Sequence, residues 1–159
     1  MSQYIDNLKI GETLSMRGPN GGLEYLADGT FVLKGELKHF KKVGMIAGGT
    51  GITPMLQIAK AAQDDDMEIS LLFANQTPED ILLRTEIETC TLSSVKYTVD
   101  RPTEDWTGLV GYIDEAKVRA SLPAPGKDVL ILVCGPPAMI EYACRPALEK
   151  LSYEYVHVF

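Results

Sequence analysis

Val43-Gly-Met-Ile-Ala-Gly-Gly-Thr-Gly-Ile-Thr-Pro-Met55 is the stretch whose reading decides the fold. It opens as an apolar run of strand length and stops at Gly48, Gly49 and Gly51, three glycines in four positions. Pro54-Met-Leu-Gln-Ile-Ala-Lys-Ala-Ala62 then follows with the apolar spacing of an amphipathic helix. Its proline stands in the first turn, where a missing N–H costs least. Strand, glycine turn and helix N-terminus together form an anion site. The glycines let the backbone approach a phosphate, and the free N–H groups of the helix carry partial positive charge. The stretch therefore points to a nucleotide, although a turn that merely packs helix on strand would look similar.

Working outward, apolar runs and helical patterns alternate. Strands are expected at Val43–Ala47, Glu68–Ala74, Val95–Val99, Val129–Cys134 and Tyr153–Val158. Helices are expected at Pro54–Ala62, Pro78–Thr89 with Thr77 as cap, Asp114–Ser121 and Ala138–Leu151. Continuous apolar strands suit a sheet covered on both faces, so the pattern predicts an α/β fold with a doubly wound, parallel, five-stranded sheet. Residues 1–42 break that rhythm. Leu8–Arg17 alternates and is bounded by Gly11 and the Gly18–Gly22 turn signals, which predicts short antiparallel strands, either the last strands of something larger or an edge ribbon packed on the α/β unit. The division expected is thus 1–42 and 43–159.

Composition narrows the function. A chain of 159 residues with 45% hydrophobic and 23% charged residues has the make-up of a globular domain. Its net charge of −7 argues against general nucleic-acid binding. No apolar run approaches the roughly 20 residues of a membrane span, and Met1–Asn7 lacks the features of a secretion signal. Cys90, Cys134 and Cys144 cannot all pair and match no zinc spacing, so they read as reduced thiols in the cytoplasm, with no metal site.

The glycine turn is not G-x-G-x-x-G, because Pro54 occupies the third slot counted from Gly49, and no Gly-Lys-Ser/Thr follows to make a P-loop. A second turn, Cys134-Gly-Pro-Pro-Ala-Met-Ile140, also leaves the end of a strand. Ligands of open parallel sheets bind at such ends where the strand order reverses, so one crevice can hold both turns. Cys134 then has three readings: a reactive thiolate, an inert buried thiol, or a polarizable wall against a ring. Asp100, closing the third strand, either bonds ribose hydroxyls and repels a 2′-phosphate or caps a turn; Gln76 is a ribose contact or a turn residue. No paired carboxylates and no Ser/His/Asp set stand out. A bound cofactor is then expected to carry the chemistry.

Six ordered motifs bear a family resemblance. Gly44–Pro54, Leu72-Phe-Ala-Asn-Gln-Thr77, Asp80-Ile-Leu-Leu-Arg84, Asp100-Arg-Pro102, Cys134-Gly-Pro-Pro137 and the ending His157-Val-Phe159 together resemble the NADH–cytochrome b5 reductases, of the ferredoxin–NADP reductase superfamily. The reductase portion of nitrate reductases shares most of them. The resemblance implies hydride transfer from NADH to FAD and single-electron transfer on to cytochrome b5 or a similar haem protein. It implies that Gly48, Gly49, Thr50 and Gly51 hold the pyrophosphate region. Thr53 and Pro54 would lie where nicotinamide meets flavin, and Asp100 would select NADH. Cys134, Gly135, Pro136, Pro137, Met139 and Phe159 would shape the nicotinamide pocket, with Thr53 and Cys134 closest to the chemistry.

Met1 and Ser2 match positions that contact FAD in the family, and Met1–Gly22 would be the last strands of an FAD-binding barrel most of which this chain lacks. Family members are often membrane-tethered through an N-terminal anchor, and no such segment is visible here. Lys34–Lys42 carries four lysines against one glutamate. It is a solvated loop or, as the resemblance implies, a docking patch (Lys34, Lys38, Lys41, Lys42) for an acidic partner. A non-catalytic nucleotide-binding module is the other reading of the whole chain.

Overall fold

The computed structural model describes residues 2–18 and 21–159. A short helix, α1 (Ser2–Asp6), leads into an irregular stretch in which Ile10 and Met16 are exposed. The strands expected at Leu8–Arg17 are absent from this stretch. Alternation supplies only half of what a strand needs; without a neighbouring ladder its backbone stays with water. The described residues of Met1–Gly22 therefore hold none of the expected barrel strands, and Met1, Pro19 and Asn20 lie outside the described residues.

The antiparallel ribbon comes later in the chain. Strands β1 (Leu23–Ala27), β2 (Thr30–Leu33) and β3 (Glu36–His39) form a three-stranded meander in the order β1-β2-β3. Each turn has two central residues with positive φ: Asp28 and Gly29 at 49° and 69°, Lys34 and Gly35 at 53° and 83°. Both are the mirror-image turns whose twist matches that of the flanking strands. Phe31, Leu33 and Phe40 anchor this part of the chain in the main core, and a train of rings runs Tyr25–Phe31–Phe40–Tyr155 at centroid spacings of 5.0, 5.9 and 5.2 Å. A polar clamp adds to it: the Tyr25 hydroxyl donates to the Asp65 carboxylate, which also accepts from the Gly29 N–H at 3.4 Å. Asp65→Ala should lower unfolding free energy by about 2 kcal/mol, the scale of a hydrogen bond to a charged group. In urea titrations, adding Tyr25→Phe to that variant should cost little more; fully additive losses would show that the two residues act separately.

The larger sheet has six parallel strands: β4 (Lys42–Gly48), β5 (Glu68–Asn75), β6 (Ser94–Val99), β7 (Leu109–Val110), β8 (Val129–Cys134) and β9 (Tyr155–Val158). Their order is β7-β6-β5-β4-β8-β9. Five strands were expected, and the sixth is the two-residue β7. It is held at the edge by the Trp106 indole N–H donating to the Leu109 carbonyl and the Thr98 hydroxyl donating to that of Gly111, at 2.9 and 2.6 Å. The chain steps outward from β4 to β7, then returns to the other side of β4 as β8. Strand order therefore reverses between β4 and β8.

Helices cover both faces, each over its own core. α2 (Ile52–Ala61) packs with the ribbon on one face, burying Ile52, Met55 and Ile58 with Met45, Leu71 and Phe73. α4 (Glu115–Ser121), capped by the Asp114 carboxylate, covers the other with α5 (Pro137–Met139) and α6 (Arg145–Lys150). Two expected helices are interrupted. Pro78–Thr89 divides into a single 3-10 turn at Pro78–Asp80 and α3 (Arg84–Glu88), because Leu83 adopts a left-handed φ of 54°. Ala138–Leu151 holds a π-helical turn at Ile140–Cys144 between α5 and α6.

Cys144 is fully buried beneath that turn, and burial pushes its thiol up to about 12. The folded state thus keeps a proton that the unfolded chain releases above about pH 8.5. Stability from this group is present in full below that pH and is lost as pH rises toward 12, at up to about 1.4 kcal/mol per pH unit. Denaturant titrations between pH 8 and 11 should show this decline, and Cys144→Ala should flatten it; an equal slope in the variant would assign the decline elsewhere.

Candidate nucleotide-binding site

Both singled-out turns leave neighbouring strands at the reversal point. Ala47 of β4 stands beside Cys134 of β8 in register, so Gly48 and Gly135 start their turns side by side. Gly48, Gly49, Thr50, Gly51, Thr53, Cys134, Gly135 and Pro136 line one open cleft of about 490 Å³. A smaller cavity of about 110 Å³ lies under the π-helical turn among Val133, Ile140, Cys144 and Val156, away from both turns.

The glycines of the cleft answer to close backbone packing. A Cβ on Gly51 would land on the carbonyl of Cys134 and stand 3.0 Å from the Gly135 nitrogen. On Gly48 it would meet Met139 Sδ at 2.7 Å and Pro136 Cδ at 2.9 Å, and on Gly135 the Met139 methyl at 2.5 Å. Gly49 differs. It has φ of 52° with open space around it, so conformation rather than crowding selects glycine there. The Gly49–Gly51 residues form one 3-10 turn that runs directly into α2. The first N–H groups of the 3-10 turn have no partner within it, whereas the Ile52 N–H that opens α2 donates to the Gly49 and Thr50 carbonyls, and Pro54, the third helical residue, brings no donor. The cradle offers bare backbone with a helix end behind it, the donor chemistry for a phosphate.

Side chains complete the cleft. The Thr53 hydroxyl, exposed at its edge, donates to the Thr50 carbonyl at 3.1 Å. Burial pushes the Cys134 thiol up, so it stays protonated at neutral pH. That disfavours the thiolate reading and leaves a half-buried, polarizable sulfur on the wall. Met139 backs both turns, and Pro137 opens α5 behind Pro136. Phe159 is 47% exposed, hydrogen-bonds through its N–H to the Val133 carbonyl at 3.0 Å and packs edge-on against His157, which keeps it on the same edge of the sheet. Among the described residues no cluster of His, Cys, Asp or Glu could hold a metal.

Other expected residues lie farther along that edge or away from it. Gln76 and Asp100 follow β5 and β6 and lie beyond the cleft lining. The Arg101 guanidinium donates to Gln76 Oε1 at 2.6 Å, and its backbone N–H donates to the Gln76 carbonyl at 2.8 Å. The four lysines lie beyond the cleft lining. Lys42 begins β4, about 20 Å from Gly48 at the rise of an extended strand, and it pairs with Glu68 at 3.0 Å. Lys38 pairs with Glu36 at 3.1 Å and stands over the Tyr155 ring, whereas Lys34 occupies the second ribbon turn. Of the two residues expected to contact FAD, Ser2 opens α1 and Met1 is outside the described residues.

One residue joins the edge that sequence reading alone missed. Tyr112 is 77% exposed and follows β7 at its carboxyl end, where Gly111 turns the chain with φ of 86°. The signal available was Gly111-Tyr112 just after an apolar pair, too short to read as a strand.

Comparison with known proteins agrees with this geometry. The family model described as oxidoreductase NAD-binding domain matches residues 45–145, a span that takes in both turns. NADH-cytochrome b5 reductase 2 of Danio rerio is 47% identical over 173 aligned residues, covering 100% of this chain and 56% of that protein. The Mus musculus protein of the same name is also 47% identical, with 100% and 63% covered. The crystal structure of the cytochrome b5 reductase domain of Ulva prolifera nitrate reductase superposes with a TM-score of 0.92 at 39% identity, covering 99% of this chain and 63% of that one. The chain thus spans somewhat over half the length of these relatives. No helix among the described residues is long and apolar enough to cross a membrane. With a reversal-point cleft built from two close-packed turns and a family match across both, the chain belongs to the oxidoreductase NAD-binding domain family.

Proposed function

We propose that this chain binds NADH and is the hydride-donor part of an NADH–cytochrome b5 reductase. The observation that carries the reading is the close approach of Gly51 to the Cys134 carbonyl, which fixes two bare backbone turns on one cleft at the sheet's reversal point. The pyrophosphate takes the Gly48–Gly51 turn and its backbone N–H groups. The nicotinamide lies toward Thr53, Pro54, Cys134, Gly135 and Pro136, with Phe159 at the rim. Running the other way, the adenosine crosses the ends of β5 and β6, its ribose near Gln76 and Asp100. Tyr112 offers a ring for the adenine. β4 and β7 are three strand spacings apart, about 15 Å, a distance suited to a dinucleotide laid along the edge.

No acid–base residue is required of this chain. Hydride transfer asks for orientation, and holding two rings in contact geometry is worth orders of magnitude in rate. A bound FAD would supply the hydride acceptor and the single-electron carrier toward cytochrome b5 or a similar acidic haem protein. Residues 1–42 serve as the link to the flavin-binding part, and 43–159 as the NADH part. Lys34 and Lys41, both exposed, and Lys38 and Lys42, each paired with a glutamate, would present the charge that meets an acidic partner. Three thiols without disulfides fit a reducing compartment, so the chain is assigned to the cytoplasmic side.

Calorimetric titration of the chain with NADH and NADPH tests the core of this reading. NADH should bind at least tenfold tighter, and no binding at millimolar NADH would overturn it. Joined to the upstream portion of the Danio rerio reductase, the chain should support NADH-driven reduction of cytochrome b5 that weakens with salt.

A further inference from the structure

The corner formed by Asp100 and Arg101 carries both signs of charge where the proposed ribose lies. A carboxylate there rejects a 2′-phosphate; a guanidinium there would welcome one, since its planar fork fits phosphate oxygens. The two adjacent residues therefore pull cofactor choice in opposite directions. Their backbone offers little room for compromise, because Pro102 restricts Arg101 to extended conformations. What decides the outcome is where the guanidinium points, and here it is held sideways. Arg101 Nη2 donates to Gln76 Oε1 at 2.6 Å, and the Arg101 N–H donates to the Gln76 carbonyl at 2.8 Å. These two bonds tie the arginine across the ends of β5 and β6.

The geometry points to Gln76 as a specificity-determining residue that acts by restraining Arg101 from a 2′-phosphate, an inference that rests on the nucleotide reading above. Gln76 thereby adds to the discrimination that Asp100 begins. Turning the Arg101 fork fully onto a 2′-phosphate breaks the guanidinium–amide bond, whereas NAD can bind with it intact. A hydrogen bond of this exposed kind shifts the ratio by about fivefold to tenfold. Gln76→Leu removes the acceptor and keeps a side chain of similar bulk.

The test is calorimetry of the 159-residue chain with NAD+ and NADP+, which differ only in the 2′-phosphate. Wild type, Gln76→Leu, Arg101→Gln and the double variant are compared. The expected result is that Gln76→Leu raises NADP+ affinity relative to NAD+ by about fivefold to tenfold. The double variant should lose that gain, and 0.5 M salt should erase it in the single variant by screening the freed charge. A mere change in ribose contact would weaken both ligands alike. NAD+ binding with an unchanged ratio in Gln76→Leu, or a gain that persists without Arg101, would overturn the inference alone. Failure of the wild type to bind NAD+ would overturn the nucleotide reading beneath it.

Discussion

Gly51→Ala should abolish measurable NAD+ binding and lower the unfolding free energy by about 3 kcal/mol, the upper range for forcing extra volume into a packed site. The new methyl would meet main chain on both sides, the Cys134 carbonyl and the Gly135 nitrogen, and neither can swing aside. Relief requires the turn after β4 to move off the end of β8, which opens the cleft itself. Two neighbouring substitutions calibrate the effect. At Gly48 the obstruction is mainly the flexible end of Met139, so alanine should cost less and leave weakened binding. At Gly49 no atom is in the way, and the cost is the left-handed backbone alone, about 1 kcal/mol. Urea unfolding with NAD+ calorimetry should rank the losses Gly51, Gly48, Gly49. A Gly51→Ala protein that binds normally would mean that the two turns are not held together as described.

The second large effect is on cofactor choice. Asp100 is exposed at the carboxyl end of β6, its N–H bonded to the Asn75 carbonyl at 3.2 Å. Its carboxylate next to a doubly charged 2′-phosphate at about 4 Å costs roughly 2 kcal/mol even at the dielectric of water. Asp100→Ser should therefore narrow the preference for NADH over NADPH by about 30-fold, mostly through tighter NADPH binding. Because the repulsion acts through solvent, the wild-type preference should shrink as salt rises and the variant's should hardly change. A ratio of affinities that stays the same after substitution would return Asp100 to the role of a turn cap.

Much of the fold was legible because its main signal is local. Strands buried on both faces must be apolar throughout, so β4, β5 and β8 announce themselves, and glycines crowded after a strand mark a close approach. The cleft was legible for the same reason: two turns that leave strand ends must share an edge if their strands are parallel neighbours. Other features depend on partners distant in sequence. Alternation at Leu8–Arg17 suggests strands, yet nothing in the described structure pairs with it. The true ribbon carries a strong hairpin signal at Asp28-Gly29 and a weaker one at Lys34-Gly35, which outrank alternation because they fix backbone conformation directly. β7 is too short to have a period and exists through the bonds of Trp106 and Thr98. The break at Leu83 lets half-buried Ile81 and buried Ile87 both reach the core, which a straight helix from Pro78 would not arrange. Lys34, Lys38 and Lys42 fall on the second ribbon turn, β3 and the start of β4, three elements whose placement a run of sequence does not show.

The most direct measurement follows backbone amide resonances of the 159-residue protein while NAD+ is added. The amides of Gly48, Gly49, Thr50, Gly51 and Gly135 should shift together along one saturating curve, since a single dinucleotide would touch both turns at once. Shifts confined to one turn, two curves with different midpoints, or no shift at either turn at millimolar NAD+ would contradict a shared nicotinamide cleft.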